Sequence, residues 1–147
     1  MNCINGKTLY VRGADENVVN VFISSKKCDR KLSVRDRVIV HMDNSAEYIL
    51  WNTTLVRRLT DGTIWIYITD CNDMDQAYYG MYGRRKDVAM TQTTKNRLGC
   101  FLQYYGFNSL EVHSSKKLFG VWHNGNELEN NTWYELDFTS HELVKVE

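Results

Sequence analysis

The sequence predicts an α+β fold: an antiparallel β-sheet of several strands with one amphipathic helix, about residues 92–106, packed on it. Three observations carry this. Apolar and polar residues alternate at period two through most of the chain. Asp61-Gly62 and Asn124-Gly125 are hairpin signals, and a 3.6-residue periodicity appears clearly once, between Thr93 and Tyr105.

Residues 8–11 and 18–23 read as strands, because β-branched and aromatic side chains suit a pleated, half-buried surface. The intervening Gly13-Ala14-Asp15-Glu16-Asn17 reads as a turn. Residues 33–42 fit two readings. Val34, Val38 and His41 share a helical face, while Val38-Ile39-Val40 makes an equally good strand. Residues 48–51 and 54–59 are strands, and Asp61-Gly62 turns the second back onto 63–69. A type I′ turn there needs positive φ at both central positions. Asn124-Gly125 joins 117–123 to 127–129 in the same way. In 133–138, Tyr134, Leu136 and Phe138 fall on the face expected to be buried, with Trp133, Glu135 and Asp137 opposite. Residues 143–146 form a last edge strand.

The helix is marked by Leu98, Phe101, Leu102 and Tyr105 at i, i+3, i+4 and i+7. Thr91 or Thr93 supplies the N-cap oxygen. Gly106 stands where a left-handed residue ends a helix, and Gly99 inside the helix points to close packing.

Proline is absent, which excludes collagen-like and proline-rich linker chains. With 43% hydrophobic residues and a net charge of zero, the chain is not of the disordered class. Its 147 residues fit one domain, 1–147. The N-terminal residues lack the basic start and apolar run of a secretory signal, and no apolar stretch approaches about 20 residues. The expectation is a cytoplasmic protein without a membrane span. Cys3, Cys28, Cys71 and Cys100 show no CxxC spacing and read as free thiols, with Cys100 buried.

The zero net charge hides a segregation. Residues 1–123 hold 17 basic and 12 acidic residues, whereas 124–147 hold one basic and six acidic. The acidic end suits a solvated hairpin, and it equally suits a strip that meets a basic groove as phosphates would.

No catalytic signature is present. His41, His113, His123 and His141 form no HxH, HxxxH or HExxH pair, so no metal is expected. Asp70-Cys71-Asn72-Asp73-Met74-Asp75 fails as a calcium loop, because Met74 occupies position 5 and Asp75 the position that needs glycine. GxSxG, P-loop and GxGxxG patterns are missing, so no cofactor is expected either.

Two segments stand apart. Tyr78-Tyr79-Gly80-Met81-Tyr82-Gly83-Arg84-Arg85-Lys86 combines rings, glycines and cations. Rings stack on bases and cations meet phosphates, and Tyr with Arg also anchors protein interfaces. Between Lys26 and Arg37 lie six cations and two anions. A mobile loop with solvated cations is the plainer reading of both.

Thr93-Thr94-Lys95-Asn96-Arg97-Leu98-Gly99-Cys100-Phe101-Leu102-Gln103-Tyr104-Tyr105-Gly106 resembles the Thr-Thr…Phe-Leu…Tyr-Gly helix of small bacteriophage proteins. Their upstream segment is similar to Trp51-Asn52-Thr53-Thr54-Leu55-Val56, followed by a strand. Many carry histidine where this chain has Arg97. The resemblance covers about a third of the chain, 52–106, and transfers no site residue. It implies a phage or mobile-element accessory protein, a class that often binds host machinery and includes anti-CRISPR proteins.

The expected function is therefore inhibition of a host defence nuclease, a CRISPR effector most concretely, by occluding its nucleic-acid site in the host cytoplasm. Tyr78, Tyr79, Tyr82, Arg84 and Arg85 are the expected anchors, and Glu127, Glu129, Glu135 and Asp137 the phosphate-like contacts. Two alternatives stand beside it. One is a nucleic-acid-binding module using 78–86 and 26–37. The other is a small enzyme or nucleotide-signal sequestering protein in which His113 or His123 meets a carboxylate.

Overall fold

The computed structural model describes residues 2–4, 7–9, 13–24, 26–69, 89–115 and 117–146. The elements in chain order are β1 (Asn2–Ile4), β2 (Lys7–Leu9), α1 (Gly13–Ile23), β3 (Cys28–Lys31), β4 (Asp36–Val40), β5 (Ala46–Leu50), β6 (Thr53–Arg58), β7 (Ile64–Ile68), α2 (Gln92–Tyr104), β8 (Glu111–Ser114), β9 (Phe119–His123), β10 (Asn126–Leu128), β11 (Thr132–Asp137) and β12 (Glu142–Lys145). The fold is α+β, as the period-two patterning predicts. Among the described residues, β12-β11-β7-β6-β5-β4-β3 form a seven-stranded antiparallel sheet, β10-β9-β8 a smaller one, and β1-β2 a hairpin.

One face of the large sheet is the core. Val38 and Val40, Ala46, Tyr48 and Leu50, Ile64, Ile66 and Ile68, and Tyr134 and Leu136 alternate into it and are buried. Phe22 of α1 and Phe101 of α2 meet edge to face over this layer, 5.0 Å between centroids, and Phe101 lies 5.6 Å from the Tyr48 ring.

Helix α1 corrects the strand expected over 18–23 and the turn expected over 13–17. Val18, Val19 and Phe22 are buried while Asn17 and Asn20 are exposed, a spacing of three and four rather than two. Branched residues favour strands only weakly, and burial against α2 overrides that preference here. Arg58 fixes the end of α1 to the sheet. Its guanidinium donates to the carbonyls of Phe22 (2.8 Å) and Asn44 (2.6 Å).

Segment 33–42 resolves as strand β4 preceded by a tight turn. Ser33 Oγ accepts from the Arg35 and Asp36 amides there, at 3.2 and 3.0 Å. Strand β5 ends at Leu50, one residue short of expectation, because Trp51 turns the chain at φ 56°. The Asp61-Gly62 hairpin exists with a different turn. Only Gly62 has positive φ (90°), and the Gly62 amide donates to Leu59 O at 3.0 Å while Leu59 N donates to Thr63 O. This is a three-residue loop closed by a left-handed glycine. Asn124-Gly125 has φ of 51° and 82°, the two-residue primed turn that was expected.

Thr91, not Thr93, caps α2: its hydroxyl accepts from the Thr94 amide at 3.3 Å. Gly106 takes φ 85° past the helix end. Phe138 is not on the buried face. Asp137 ends β11 by accepting from the Thr139 and Ser140 amides, so the ring swings out, 47% exposed, against Tyr105 and Phe107. Strand β12 is an edge strand, as expected, and β3 is the opposite edge.

Candidate functional site

Three arrangements on the scaffold have chemical content. The first is buried. Asp36 lies at period two with Val38 and Val40, so β4 aims its carboxylate into the core. Arg97 lies on the buried stripe of α2 beside Leu98 and Phe101. The two meet in a bidentate fork, Nε to Oδ1 and one terminal nitrogen to Oδ2, both 2.9 Å. Tyr48 also donates to Oδ1, and Ser33 Oγ donates to Oδ2 at 2.7 Å. Burial alone would raise the Asp36 pKa, but the bonds from Arg97, Tyr48 and Ser33, with the Arg97 charge, hold it below the usual carboxylate range. Burial, with the Asp36 charge beside it, pushes the Tyr48 phenol up, so it stays a donor. The cluster is a structural clamp that ties α2 to the sheet. Every acceptor direction of the carboxylate is occupied, which leaves none for a substrate.

The second arrangement is the outward face of the large sheet. Trp65, Tyr67 and Trp133 form a half-buried aromatic cluster, with centroids 6.3 and 5.0 Å from Trp133. The Arg57 guanidinium sits 4.9 Å over the Trp133 ring. Carboxylates are interleaved: Glu135 accepts from the Trp65 indole N–H at 3.2 Å, and Glu47 lies 3.8 Å from Arg57 and 3.6 Å from His41. Each of these carboxylates has a donor or a cation beside it.

The third is the outward face of the small sheet. Val112, Val121 and Leu128 line its inner side, and Glu111, Trp122 and Glu127 stand opposite one another across the three strands. Gly120, at φ 148°, lets the Trp122 ring fold down beside Glu127. A Cβ at that position would lie 3.1 Å from both the ring and the Glu127 carboxylate. His113 packs edge-on against Trp122 (5.4 Å) and lies 3.7 Å from Glu111. Among the described residues, no lysine or arginine forms an ion pair with Glu111 or Glu127. Among the described residues this face sets two carboxylates around an indole.

The expected contact residues are thus divided. Glu127 belongs to the small-sheet face. Glu129 is engaged by Lys145 at 2.7 Å, Glu135 by Trp65, and Asp137 by its own turn, whose amides lower its pKa. Tyr78, Tyr79, Tyr82, Arg84 and Arg85 lie outside the described residues. In the 26–37 segment, Lys26, Lys27, Arg30, Lys31 and Arg35 are exposed, whereas Arg37 forks onto Asp29, whose carboxyl it holds low. Five strands lie between β3 and β12, so the cations of 26–37 and the carboxylates of β11 and β12 stand at opposite ends of the large sheet.

His123 does meet a carboxylate. It is buried, its Nε2–H donates to Asn108 O at 2.9 Å, and its Nδ1 faces Glu142 at 3.9 Å without a hydrogen-bond partner. The Phe107 ring stacks on His141 at 5.2 Å and lies 6.4 Å from His123, and among the described residues no nucleophilic side chain is bonded to either histidine. Cys28 is a half-buried free thiol, and Cys100 is buried in the core. No described helix is long and apolar enough to cross a membrane.

Sequence reading missed Trp122 and the Asp36–Arg97 clamp, yet signals existed. Gly120 two residues before a tryptophan marks a ring lying across backbone, and Arg97 sits four residues before Phe101 on the same helical face. No family model, curated protein or solved structure matches the chain.

Proposed function

We propose that this chain is a non-catalytic binding protein that inhibits a host defence nuclease, a CRISPR effector in particular, by laying an acidic aromatic face against the enzyme's basic nucleic-acid site. The observation that supports this reading is the small-sheet face, where a half-buried Trp122 stands between the exposed carboxylates of Glu111 and Glu127. Nucleic-acid sites hold phosphates with Lys and Arg and stack bases on rings. An indole flanked by two anions at strand spacing offers the same sequence of groups. Tryptophan is also among the residues that most often carry binding energy at protein interfaces. Glu129, just past β10, and Glu135 and Asp137, on β11, join the proposal as further carboxylates of the same end of the chain. Tyr78, Tyr79, Tyr82, Arg84 and Arg85 join the proposal as anchors on sequence grounds alone.

Mixing the protein with purified effectors and following target cleavage tests this. Inhibition is expected, weakening as salt rises because exposed charges are screened. Trp122→Ala and Glu127→Lys are each expected to weaken it by about tenfold or more, the scale of an interface hot spot. Absence of a complex with every effector across salt concentrations overturns the reading.

The exposed cations of the β3 edge support a second reading, in which that edge binds nucleic acid. Fluorescence anisotropy with oligonucleotides separates the two. Lys26→Ala with Lys27→Ala would weaken oligonucleotide binding and leave nuclease inhibition unchanged.

A further inference from the structure

A cleft of about 400 Å³ lies between α1 and the edge strand β3. That volume falls within the roughly 300–1,000 Å³ of small-molecule sites. Asn17 and Asn20 line it from the helix, with Val18 between them, and Arg30 lines it from the strand. Ser33 and Asp36 line it as well.

The chemistry of this lining selects an anion with a hydrogen-bonding ring. Asp36 adds little negative potential, because Arg97 neutralises it and Tyr48 and Ser33 fill its remaining acceptor sites. Arg30 is different. It pairs with Val38 in register, which places it on the helix side of the sheet, and it is exposed. Among the described residues no carboxylate lies within ion-pair distance of it. A free guanidinium at a cleft mouth is a two-pronged donor for a phosphate. Asn17 and Asn20 are exposed and three residues apart, so their carboxamides stand on one side of α1. A carboxamide presents a donor beside an acceptor, the pair that reads an adenine edge. Val18 gives the ring an apolar wall.

We propose that this cleft binds a free nucleoside phosphate, with the phosphate on Arg30 and the base against Asn17 and Asn20. The site is independent of the acidic face invoked for nuclease inhibition.

Isothermal titration of the full chain with AMP, adenosine and inorganic phosphate tests it. AMP is expected to bind at least about tenfold more tightly than either fragment, since both ends of the cleft are then used. Arg30→Ala should weaken AMP about tenfold or more and leave adenosine unchanged, and Asn20→Ala should weaken AMP and adenosine alike. Arg30 is exposed, so an unchanged melting temperature confirms that the variant folds. AMP binding no tighter than phosphate, or unaffected by Arg30→Ala, overturns the proposal. So does a single-stranded oligonucleotide that outcompetes AMP and depends on Lys26 and Lys27 instead.

Discussion

Replacing Arg97 with methionine is expected to destabilise the protein by about 3–5 kcal/mol, the cost of leaving a buried charge without its partner. For a chain of this length that corresponds to a fall in melting temperature of roughly 10 °C. The reason lies in the Asp36 carboxylate, only 2% exposed, which takes two of its four hydrogen bonds from Arg97. Tyr48 and Ser33 donate the others and cannot supply a compensating charge. The double variant Asp36→Leu/Arg97→Met should recover part of the loss, because an apolar pair no longer strands an ion. Recovery stays incomplete, since the Tyr48 hydroxyl is left buried without an acceptor at about 1–3 kcal/mol.

The same residue sets a pH dependence. The folded Asp36 pKa is held below its unfolded value, so its contribution is complete above the unfolded pKa, about 3.9, and is lost as pH falls through the folded value. Exposed Asp29, Asp43 and Asp61 and half-buried Asp137 are also held low and share in the acid slope. The test is therefore a difference of slopes. Urea unfolding between pH 6 and pH 3 should lose stability more steeply in the wild type than in Asp36→Leu/Arg97→Met. Equal slopes would remove Asp36 from the account.

Phe101→Ala is expected to cost about 3–5 kcal/mol, the range for deleting a ring from a packed core. Phe101 is completely buried and packs against both Phe22 of α1 and Tyr48 of the sheet. Its loss opens a void and removes an edge-to-face partner from Phe22, a contact worth about 0.5–1.5 kcal/mol beyond area. Phe101→Leu should cost clearly less. A double-mutant cycle of Phe22→Leu with Phe101→Leu should show coupling between the two sites, because residues in contact fail to add. Additive losses would show that α1 and α2 are fixed to the sheet independently.

Much of the fold is legible in the sequence where one face of an element is buried and the other wet. Strands β5, β7 and β11 alternate cleanly, and α2 shows its stripe, its cap oxygen and its terminal glycine. The pattern misleads where composition and period disagree. Helix α1 is built from Val18, Val19, Val21, Phe22 and Ile23, a strand-like composition, and only the asparagines at 17 and 20 betray the helical spacing. At Asp61-Gly62 the dipeptide names a hairpin without naming the loop length, which the pairing of Leu59 with Thr63 decides.

The site is less legible than the fold, because its residues meet only through tertiary pairing. Glu111 and Trp122 are 11 positions apart and become neighbours through the β8–β9 register. Asp36 and Arg97 are separated by 61 positions, and neither carries a local sign of the other. Glu135 and Asp137 look like free carboxylates in sequence, yet each has a donor in the fold.

The placement of the two charged ends at opposite edges of the sheet alters what neutrality means for this molecule. Six inter-strand spacings separate β3 from β12, about 29 Å, whereas ionic fields decay over about 8 Å in physiological salt. Neither rim feels the other at that distance. A pI near 6.9 therefore describes the sum and not the behaviour of either part. Near neutral pH, in dilute buffer, cation and anion exchangers alike are expected to retain the protein, each by a different rim, and two partners of opposite charge have room to bind it together.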